Sequence, residues 1–301
     1  MTFTGKVCCY MAETIRERAY AKLNLTLDVL GKLPNGYHDL SMVMESVELG
    51  DDVDLTPRRD GEIHLNSNLP WLPKDGRNLA VEAVKVFRAA LGDESIGADI
   101  FLRKRIPVGA GMAGGSTDAA AVLRALNRYA GRPFDGDALR ELGLKIGSDV
   151  PYCVCGGSRL AEGQGEILSP LPMPPDCHVV ICKPSFSIST GELFKKIDER
   201  SSRIRPDSNG LIAAMGQKDV GGMARRMYNV FEDVLPRNFR EVSEMKCRFL
   251  DQGALGTVMT GTGSAVFGIF DDHDRAADAS VELGEYCRDV FLTRFVDEIV
   301  I

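Results

Sequence analysis

The chain has 301 residues, which exceeds the usual size of a single domain, so we expect two domains that share an interface. Hydrophobic residues make up 44% of the sequence and charged residues 26%, a globular composition that excludes a disordered or collagen-like chain. Lysine and arginine total 36 against 43 aspartates and glutamates, for a net charge of −7. This balance argues against generic nucleic-acid binding but is compatible with a local anion site.

Eight cysteines are scattered along the chain without a C-x-x-C pair, which favours buried thiols in a reducing cytosol over disulfides or a zinc site. Cys153 and Cys155 flank Val154 in a predicted strand that places both thiols on one face. The apolar stretch Val7–Ala12 is too short for a secretory signal, and no later run reaches membrane-spanning length. We expect a cytoplasmic protein without membrane or nucleic-acid partners, in which residues before about Met11 are a dispensable extension.

The first predicted elements are two strands and a helix. Apolar and polar residues alternate over Tyr20–Val29, which predicts a half-buried strand with Lys22 and Asn24 on one face. A turn-rich segment leads to a second predicted strand, Ser41–Leu49. Asn78 is the predicted N-cap of a helix that ends at Gly92.

The middle of the chain contains a glycine-rich loop between a predicted strand, Ala98–Ile106, and a predicted helix that runs to about Ala130. Ser116 and Thr117 are the predicted N-cap pair of that helix. A shorter helix near Asp137–Ile146 leads into the segment 147–151.

The second half begins at the proline-rich stretch Pro170–Pro175, the predicted linker, so the domains are expected at 1–170 and 171–301. Strands and helices mix without regular βαβ alternation, which favours an α+β fold over a doubly wound sheet. The predicted elements are a strand at Cys177–Cys182, several helices between Thr190 and Gln252, a strand–loop–strand over Gly256–Phe270, a helix at Arg275–Gly284 and a strand at Arg288–Val296.

The loop Gly109–Ser116 has four glycines in eight residues. Glycines ahead of a helix let the backbone approach a ligand, and the exposed N–H groups with the positive helix end attract phosphate; a tight turn for close packing is the alternative. The loop lacks the Rossmann context and the Walker A lysine. No His-Arg-Asp or Asp-Phe-Gly signature of protein kinases occurs either.

Three segments together resemble the GHMP kinase superfamily of galacto-, homoserine, mevalonate and phosphomevalonate kinases. They are the loop segment Pro107–Ala120, the strand Ala21–Val29 with the turn Asn35–His38, and the segment Met259–Phe267. The resemblance covers about residues 19–270. It implies a two-domain α+β fold, with an N-terminal domain like the second domain of ribosomal protein S5 and a ferredoxin-like C-terminal domain.

Within the superfamily, these segments are similar to those of the branch that phosphorylates the 2-hydroxyl of 4-diphosphocytidyl-2-C-methyl-D-erythritol for isoprenoid precursors. The resemblance implies a small-molecule substrate, ATP and Mg²⁺ with unassigned ligands, in a monomer or homodimer. It places ATP over the glycine loop and the acceptor in the cleft between the domains. The implied ATP-binding residues are Pro107, Gly109, Ala110, Gly111, Met112, Ala113, Gly114, Gly115, Ser116 and Thr117.

Two residues match the family's catalytic positions. Asp149 matches the catalytic aspartate and would accept the hydroxyl proton, whereas the residue alone is equally compatible with a plain turn. Lys22 matches the active-site lysine, which would lower the pKa of Asp149 and stabilise charge on the phosphoryl group, although most strand lysines are merely exposed. Asn24 shares its face and would bond the methylerythritol hydroxyls.

Further residues match the family's substrate site. Tyr37 and His38 match its cytidine-recognition pair, and Phe194 matches an aromatic residue that flanks cytosine, although Phe194 equally suits the core of its helix. Thr262 and Ser264 would contact the substrate diphosphate or hold the loops together.

Asp118 stands where several members carry asparagine, and either a helix cap or a magnesium water shell would explain it.

Two alternatives remain. Another GHMP kinase, of the mevalonate or homoserine class, is disfavoured by the Tyr37–His38 pair. A non-catalytic nucleotide-binding member is disfavoured because both Lys22 and Asp149 are present.

Overall fold

The computed structural model describes residues 13–200, 204–236, 239–297 and 299, and the predicted N-terminal extension lies outside this range. Its strands form two sheets, and the mixture of sheet and helix confirms the α+β class. The larger, mixed sheet contains β1 (Ile15–Lys32), β2 (His38–Arg58), β3 (Ile63–Ser67), β4 (Gly97–Arg103), β5 (Arg159–Gly163), β6 (Ile167–Pro170), β8 (Tyr228–Asn229) and β12 (Phe295–Val296). The smaller, antiparallel sheet has the order β11 (Asp289–Thr293), β7 (His178–Lys183), β10 (Val266–Phe270) and β9 (Gly256–Met259).

Helices cover these sheets and connect them. The helices are α1 (Leu79–Leu91), α2 (Gly114–Tyr129), α3 (Gly136–Leu144), α4 (Val150–Cys155), α5 (Thr190–Asp198), α6 (Ser208–Gly216), α7 (Val220–Ala224), α8 (Arg240–Asp251) and α9 (His273–Gly284), with a 3₁₀ helix at Val230–Val234. Asn78 caps α1 as predicted, since its Oδ1 accepts from the Ala80 N–H at 3.0 Å. In the described part of the chain, none of the helices combines the length and apolar character that crossing a bilayer requires.

Two local predictions are wrong. Cys153 and Cys155 lie in the short helix α4 and not in a strand, because Pro151 has its φ set for a first helical turn and the chain winds directly from Asp149. Ser116 and Thr117 do not cap α2, which begins two residues earlier, at Gly114. Ala113 takes the cap position with φ 58°.

Strand β1 is buried on both faces between Ala21 and Val29, so the prediction of a half-buried strand is also wrong. Lys22 is 4% exposed and Asn24 fully buried, because loops of the smaller sheet cover the polar face. Pairing with β2 shifts register between Asn24 and Thr26. On one side of this bulge, Leu23 and its neighbours join the core shared with the smaller sheet, and on the other side Leu27 joins the core under the helices.

The C-terminal part of the chain returns to the larger sheet. The predicted final strand divides into β11 and β12, and β12 pairs with β2. The N–H of Ile299 donates to the Cys155 carbonyl at 2.8 Å, which ties the chain end to α4. The boundary at 170/171 stays a prediction; β6 ends at Pro170, while β8 and β12 pair with strands that precede it.

Glu45 is a buried carboxyl group in the middle of β2, between two valines of the core shared with the smaller sheet. Its Oε2 accepts from the Ser158 hydroxyl at 2.7 Å, and its Oε1 has no hydrogen-bond partner among the described residues. Burial raises the pKa of Glu45 well above its usual value, although Ser158 and the charge of Arg159 oppose this. Folded Glu45 therefore keeps its proton at a pH where the unfolded chain has lost it.

We predict that Glu45→Gln flattens the pH dependence of stability. An unfolded glutamate titrates near 4.5. The contribution of Glu45 to stability is therefore complete below that pH, and it declines by about 1.4 kcal/mol per pH unit until the raised folded pKa is reached. In thermal melts from pH 5 to 8, the melting temperature of Glu45→Gln should rise relative to that of the wild type as pH rises. The exposed control Glu141→Gln should keep the same difference from the wild type at every pH. Parallel curves for Glu45→Gln would contradict the assignment.

Candidate active site

The glycine loop lies between β4 and α2 and lines a cleft of about 340 Å³. Every residue predicted to bind ATP lines this cleft except Thr117, whose buried hydroxyl donates to the Gly114 carbonyl at 2.9 Å. Arg77 and Asn78, at the start of α1, line the same cleft. Loop N–H groups and the α2 N-terminus therefore face a space suited to an anion.

Gly111 has a packing role that its sequence context does not reveal. Its φ of 79° is left-handed, and a Cβ there would lie 2.3 Å from the Thr260 carbonyl oxygen. Gly261 meets it from the other side, since a Cβ on Gly261 would lie 2.7 Å from the Gly111 carbonyl oxygen. Two loops that are distant in sequence thus touch backbone to backbone at these glycines.

Asn24 joins β1 to the same contact. Its Oδ1 accepts from the Lys22 ammonium at 2.8 Å and from the Gly261 N–H at 3.0 Å. Its own N–H donates to the Thr260 hydroxyl at 3.1 Å, and the N–H of Lys22 donates to the Met112 carbonyl at 3.3 Å. The asparagine thus holds a loop and orients a lysine.

A second cavity, of about 310 Å³, adjoins the glycine-loop cleft and shares Gly109, Gly111 and Ala113 with it. Lys22 and Asp149 both line this cavity. Asp149 precedes α4, and within the described ranges no hydrogen bond or ion pair of its carboxylate is found. Its oxygens are therefore available to a ligand. The sequence analysis missed Gln164, which lines this cavity from the turn between β5 and β6; no motif marks it.

The predicted cytidine residues are placed differently from one another. Phe194 lines the second cavity, whereas Tyr37 and His38 do not. The His38 ring stacks on Phe194, with centroids 4.3 Å apart, and its Nε2 lies 2.8 Å from Asp198 Oδ1. Tyr37 is 61% exposed at the turn before β2. In this arrangement His38 covers one face of Phe194.

Thr262 and Ser264, in the loop between β9 and β10, are also placed differently from each other. Thr262 lines the second cavity, and its hydroxyl lies 2.8 Å from that of Thr190. Ser264 is fully buried and donates to the Phe186 carbonyl at 2.6 Å, which matches the loop-holding alternative for this residue.

A buried charge cluster lies beside the glycine-loop cleft. Lys104, which follows β4, donates to Asp118 Oδ2 at 2.6 Å, to Asp51 and to the Gly114 carbonyl. Burial, together with the charge of Asp51, raises the pKa of Asp118 to about 7 despite Lys104. Burial lowers the pKa of Lys104, but the charges and hydrogen bonds of the two aspartates outweigh it, so that the pKa is raised. Asp118 is thus an ion-pair partner inside α2 and not its cap. The sequence analysis missed Lys104, which stands between Arg103 and Arg105 inside the predicted strand Ala98–Ile106 and carries no motif of its own.

Comparisons with known proteins cover most of the chain. Residues 78–157 match the GHMP kinases N terminal domain, and residues 211–289 match the GHMP kinases C terminal domain. A relative from Lachnoclostridium phytofermentans is 41% identical over 289 residues, which are 95% of this chain and 98% of the relative. Another, from Geobacillus kaustophilus, is 40% identical over 284 residues, 93% of this chain and 97% of the relative. Both are named 4-diphosphocytidyl-2-C-methyl-D-erythritol kinase.

Solved structures agree. A crystal structure of 4-(cytidine 5'-diphospho)-2C-methyl-D-erythritol kinase has a TM-score of 0.80 at 31% identity and covers 93% of this chain and 99% of its own. A homoserine kinase from Cytophaga hutchinsonii has a TM-score of 0.75 over the full length of both chains. Its identity is 20%, so this likeness concerns the fold alone.

We predict that Gly111→Ala destabilises the protein by about 1–3 kcal/mol, because it combines a left-handed φ with a clash against Thr260. Thermal melts should show the loss. The control is Gly191→Ala in the first turn of α5, where a Cβ meets nothing within 4 Å and stability should change little. Equal melting temperatures for the two variants would show that the loops do not meet at Gly111.

Proposed function

The chain belongs to the GHMP kinase family, and from that membership we propose that it transfers the γ-phosphoryl group of ATP to the 2-hydroxyl of 4-diphosphocytidyl-2-C-methyl-D-erythritol. One observation carries the proposal. Lys22 and Asp149, whose carboxylate has no partner among the described residues, face one cavity that adjoins the glycine-loop cleft. The chain is about 40% identical to relatives named 4-diphosphocytidyl-2-C-methyl-D-erythritol kinase. An acceptor in the second cavity would lie beside a nucleotide in the first.

The glycine loop would hold the nucleotide phosphates. Residues 109–116 line the cleft and lead directly into α2, so backbone N–H groups and the helix N-terminus supply the positive potential. Such a cradle suits an acidic protein, because fixed dipoles attract phosphate without a surplus of basic side chains.

Asp149 would act as the general base. As the acceptor oxygen bonds to the γ-phosphorus and the bond to the β-phosphate oxygen breaks, the hydroxyl proton passes to the carboxylate and ADP leaves. The absence of a protein partner for this carboxylate in the described chain supports the role. Lys22 would stabilise charge on the transferring group. Asn24 accepts one of its hydrogen bonds and would aim the ammonium.

The acceptor's cytidine end would lie toward α5. Phe194 and Thr262 line the cavity there, and Tyr37 is exposed on the turn before β2, next in sequence to His38, whose ring stacks on Phe194. We propose that Tyr37 and Phe194 stack with the base while His38, held by Asp198, contacts its edge. Ser264 would contribute by holding its loop against Phe186.

Magnesium is proposed as part of the nucleotide and not as a resident ion. Among the described residues, no group of three or more His, Cys, Asp or Glu side chains is arranged to hold a metal ion. Mg²⁺ commonly takes most of its ligands from phosphates and water. A domain boundary at 170/171 and a cytoplasmic location complete the proposal; the free, mostly buried thiols support the latter.

We predict that Asp149→Asn lowers kcat by about 10²–10⁴-fold, because the amide cannot accept the hydroxyl proton. ATP affinity should stay within several-fold of the wild type, as measured by equilibrium binding. The control Asp137→Asn changes a mostly exposed aspartate of α3 and should leave turnover unchanged. Near-normal turnover in Asp149→Asn would refute the base assignment.

Substrate choice is tested by an ADP-release assay with the cytidylyl alcohol, mevalonate and homoserine as acceptors. We predict turnover with the first acceptor only. Tyr37→Ala should raise KM for this acceptor about 10-fold or more, a loss within the range of a base–aromatic stack, and leave KM for ATP nearly unchanged. Turnover of mevalonate or homoserine would contradict the proposed substrate. Equal effects of Tyr37→Ala on both KM values would remove Tyr37 from the cytidine site.

A further inference from the structure

The cluster of Lys104, Asp51 and Asp118 is almost completely buried, with no member more than 8% exposed. The ammonium of Lys104 has three N–H donors, and they point to the two carboxylates and to the Gly114 carbonyl. No donor remains for a phosphate. Lys104 therefore lines the nucleotide cleft without a free hydrogen bond to offer it.

The two aspartates share this one cation unequally. Asp51 accepts from Lys104 and from the N–H groups of Arg105 and Ile106. Asp118 accepts from Lys104 alone, and its Oδ1 is buried with no hydrogen-bond partner among the described residues. With both carboxylates ionised, the cluster has one uncompensated negative charge, and Asp118 is the poorly solvated member.

Charged groups on the neighbouring elements do not correct this balance. Next to Asp51 on β2, Asp52 binds the guanidinium of Arg105, and Arg77, before α1, binds Asp75 outside the cluster. Lys22 on β1 and Asp149 before α4 line the other cavity, and Arg124, further along α2, pairs with Glu17. Lys104 and Asp51 are thus the charges that act on Asp118. The pKa of Asp118, about 7, agrees with one cation shared between two buried carboxylates.

A phosphate bound at the loop would add negative charge close to Asp118. Asp118 lines the same cleft as the loop and lies one turn after Gly114, where α2 begins. A like charge nearby favours the neutral form of a carboxyl group, and a ligand that closes the cleft removes water that would screen the repulsion. An O–H on Oδ1 would remove the surplus charge without disturbing the bond to Lys104.

We propose that Asp118 takes up a proton when the phosphates of a nucleotide bind at the glycine loop. The step forms one O–H bond, with the proton drawn from buffer and no other bond changed. The inference rests on the proposed function only in taking the cleft as a nucleotide site.

Calorimetric titration with ADP at pH 8, in two buffers of different ionisation enthalpy, measures the protons exchanged per nucleotide. If the phosphates raise the pKa of Asp118 by about one unit, the wild type takes up roughly 0.4 proton more than Asp118→Asn. The difference between the two proteins removes any proton exchanged by ADP itself. The exposed control Asp137→Asn should match the wild type. Asp51→Asn, which removes the second negative charge, should also lower the uptake and serves if Asp118→Asn fails a thermal-melt check.

The titrations, run with and without Mg²⁺, separate the competing outcomes. Equal proton exchange in wild type and Asp118→Asn would overturn the inference and leave the kinase proposal intact. Proton release that requires both Mg²⁺ and Asp118 would also overturn it, because the carboxylate would then be ionised against the metal. No ADP binding at all would overturn both this inference and the proposed nucleotide site.

Discussion

The backbone contact between Gly111 and the Thr260–Gly261 segment is the constraint on which both cavities depend. It brings together two loops about 150 residues apart. Asn24 of β1 joins this contact through hydrogen bonds to Gly261 and Thr260. Each loop lines the second cavity, and Gly111 also lines the glycine-loop cleft. A side chain at either glycine would separate the loops, because backbone atoms occupy the space it needs.

The buried polar groups follow from the same close packing. Covering the polar face of β1 removes Lys22 and Asn24 from water, so each has a protein partner or faces a cavity. Burial raises the pKa of Asp118 at the glycine-loop cleft and that of Glu45 between the sheets. Both carboxyl groups have one buried oxygen without a partner among the described residues. Their protonation state therefore depends on tertiary packing that joins separate parts of the chain.

Local patterns predicted much of the fold and part of the candidate site. The Asn78 cap, the helix after the glycine loop and the strand–loop–strand near the C-terminus agree with the structure, because caps, periodicity and glycine placement act over a few residues. The strand assigned to Cys153 and Cys155 failed because six residues are too few for periodicity to separate a helical turn from a strand. The prediction that Ser116 caps α2 was wrong because Ala113 takes the cap position in a left-handed conformation, which alanine rarely adopts.

Residue types at short and regular spacing were sufficient to predict the family, the α+β class and the glycine loop. The tertiary structure was needed to show that Lys22 and Asp149 face one cavity while Tyr37 and Ser264 do not. It alone revealed Lys104 between two aspartates, the second of them 67 residues after the first along the chain. Sheet register and bulges determine which side chains meet. At the bulge after Asn24, a shift of one residue moves the following side chains to the opposite face.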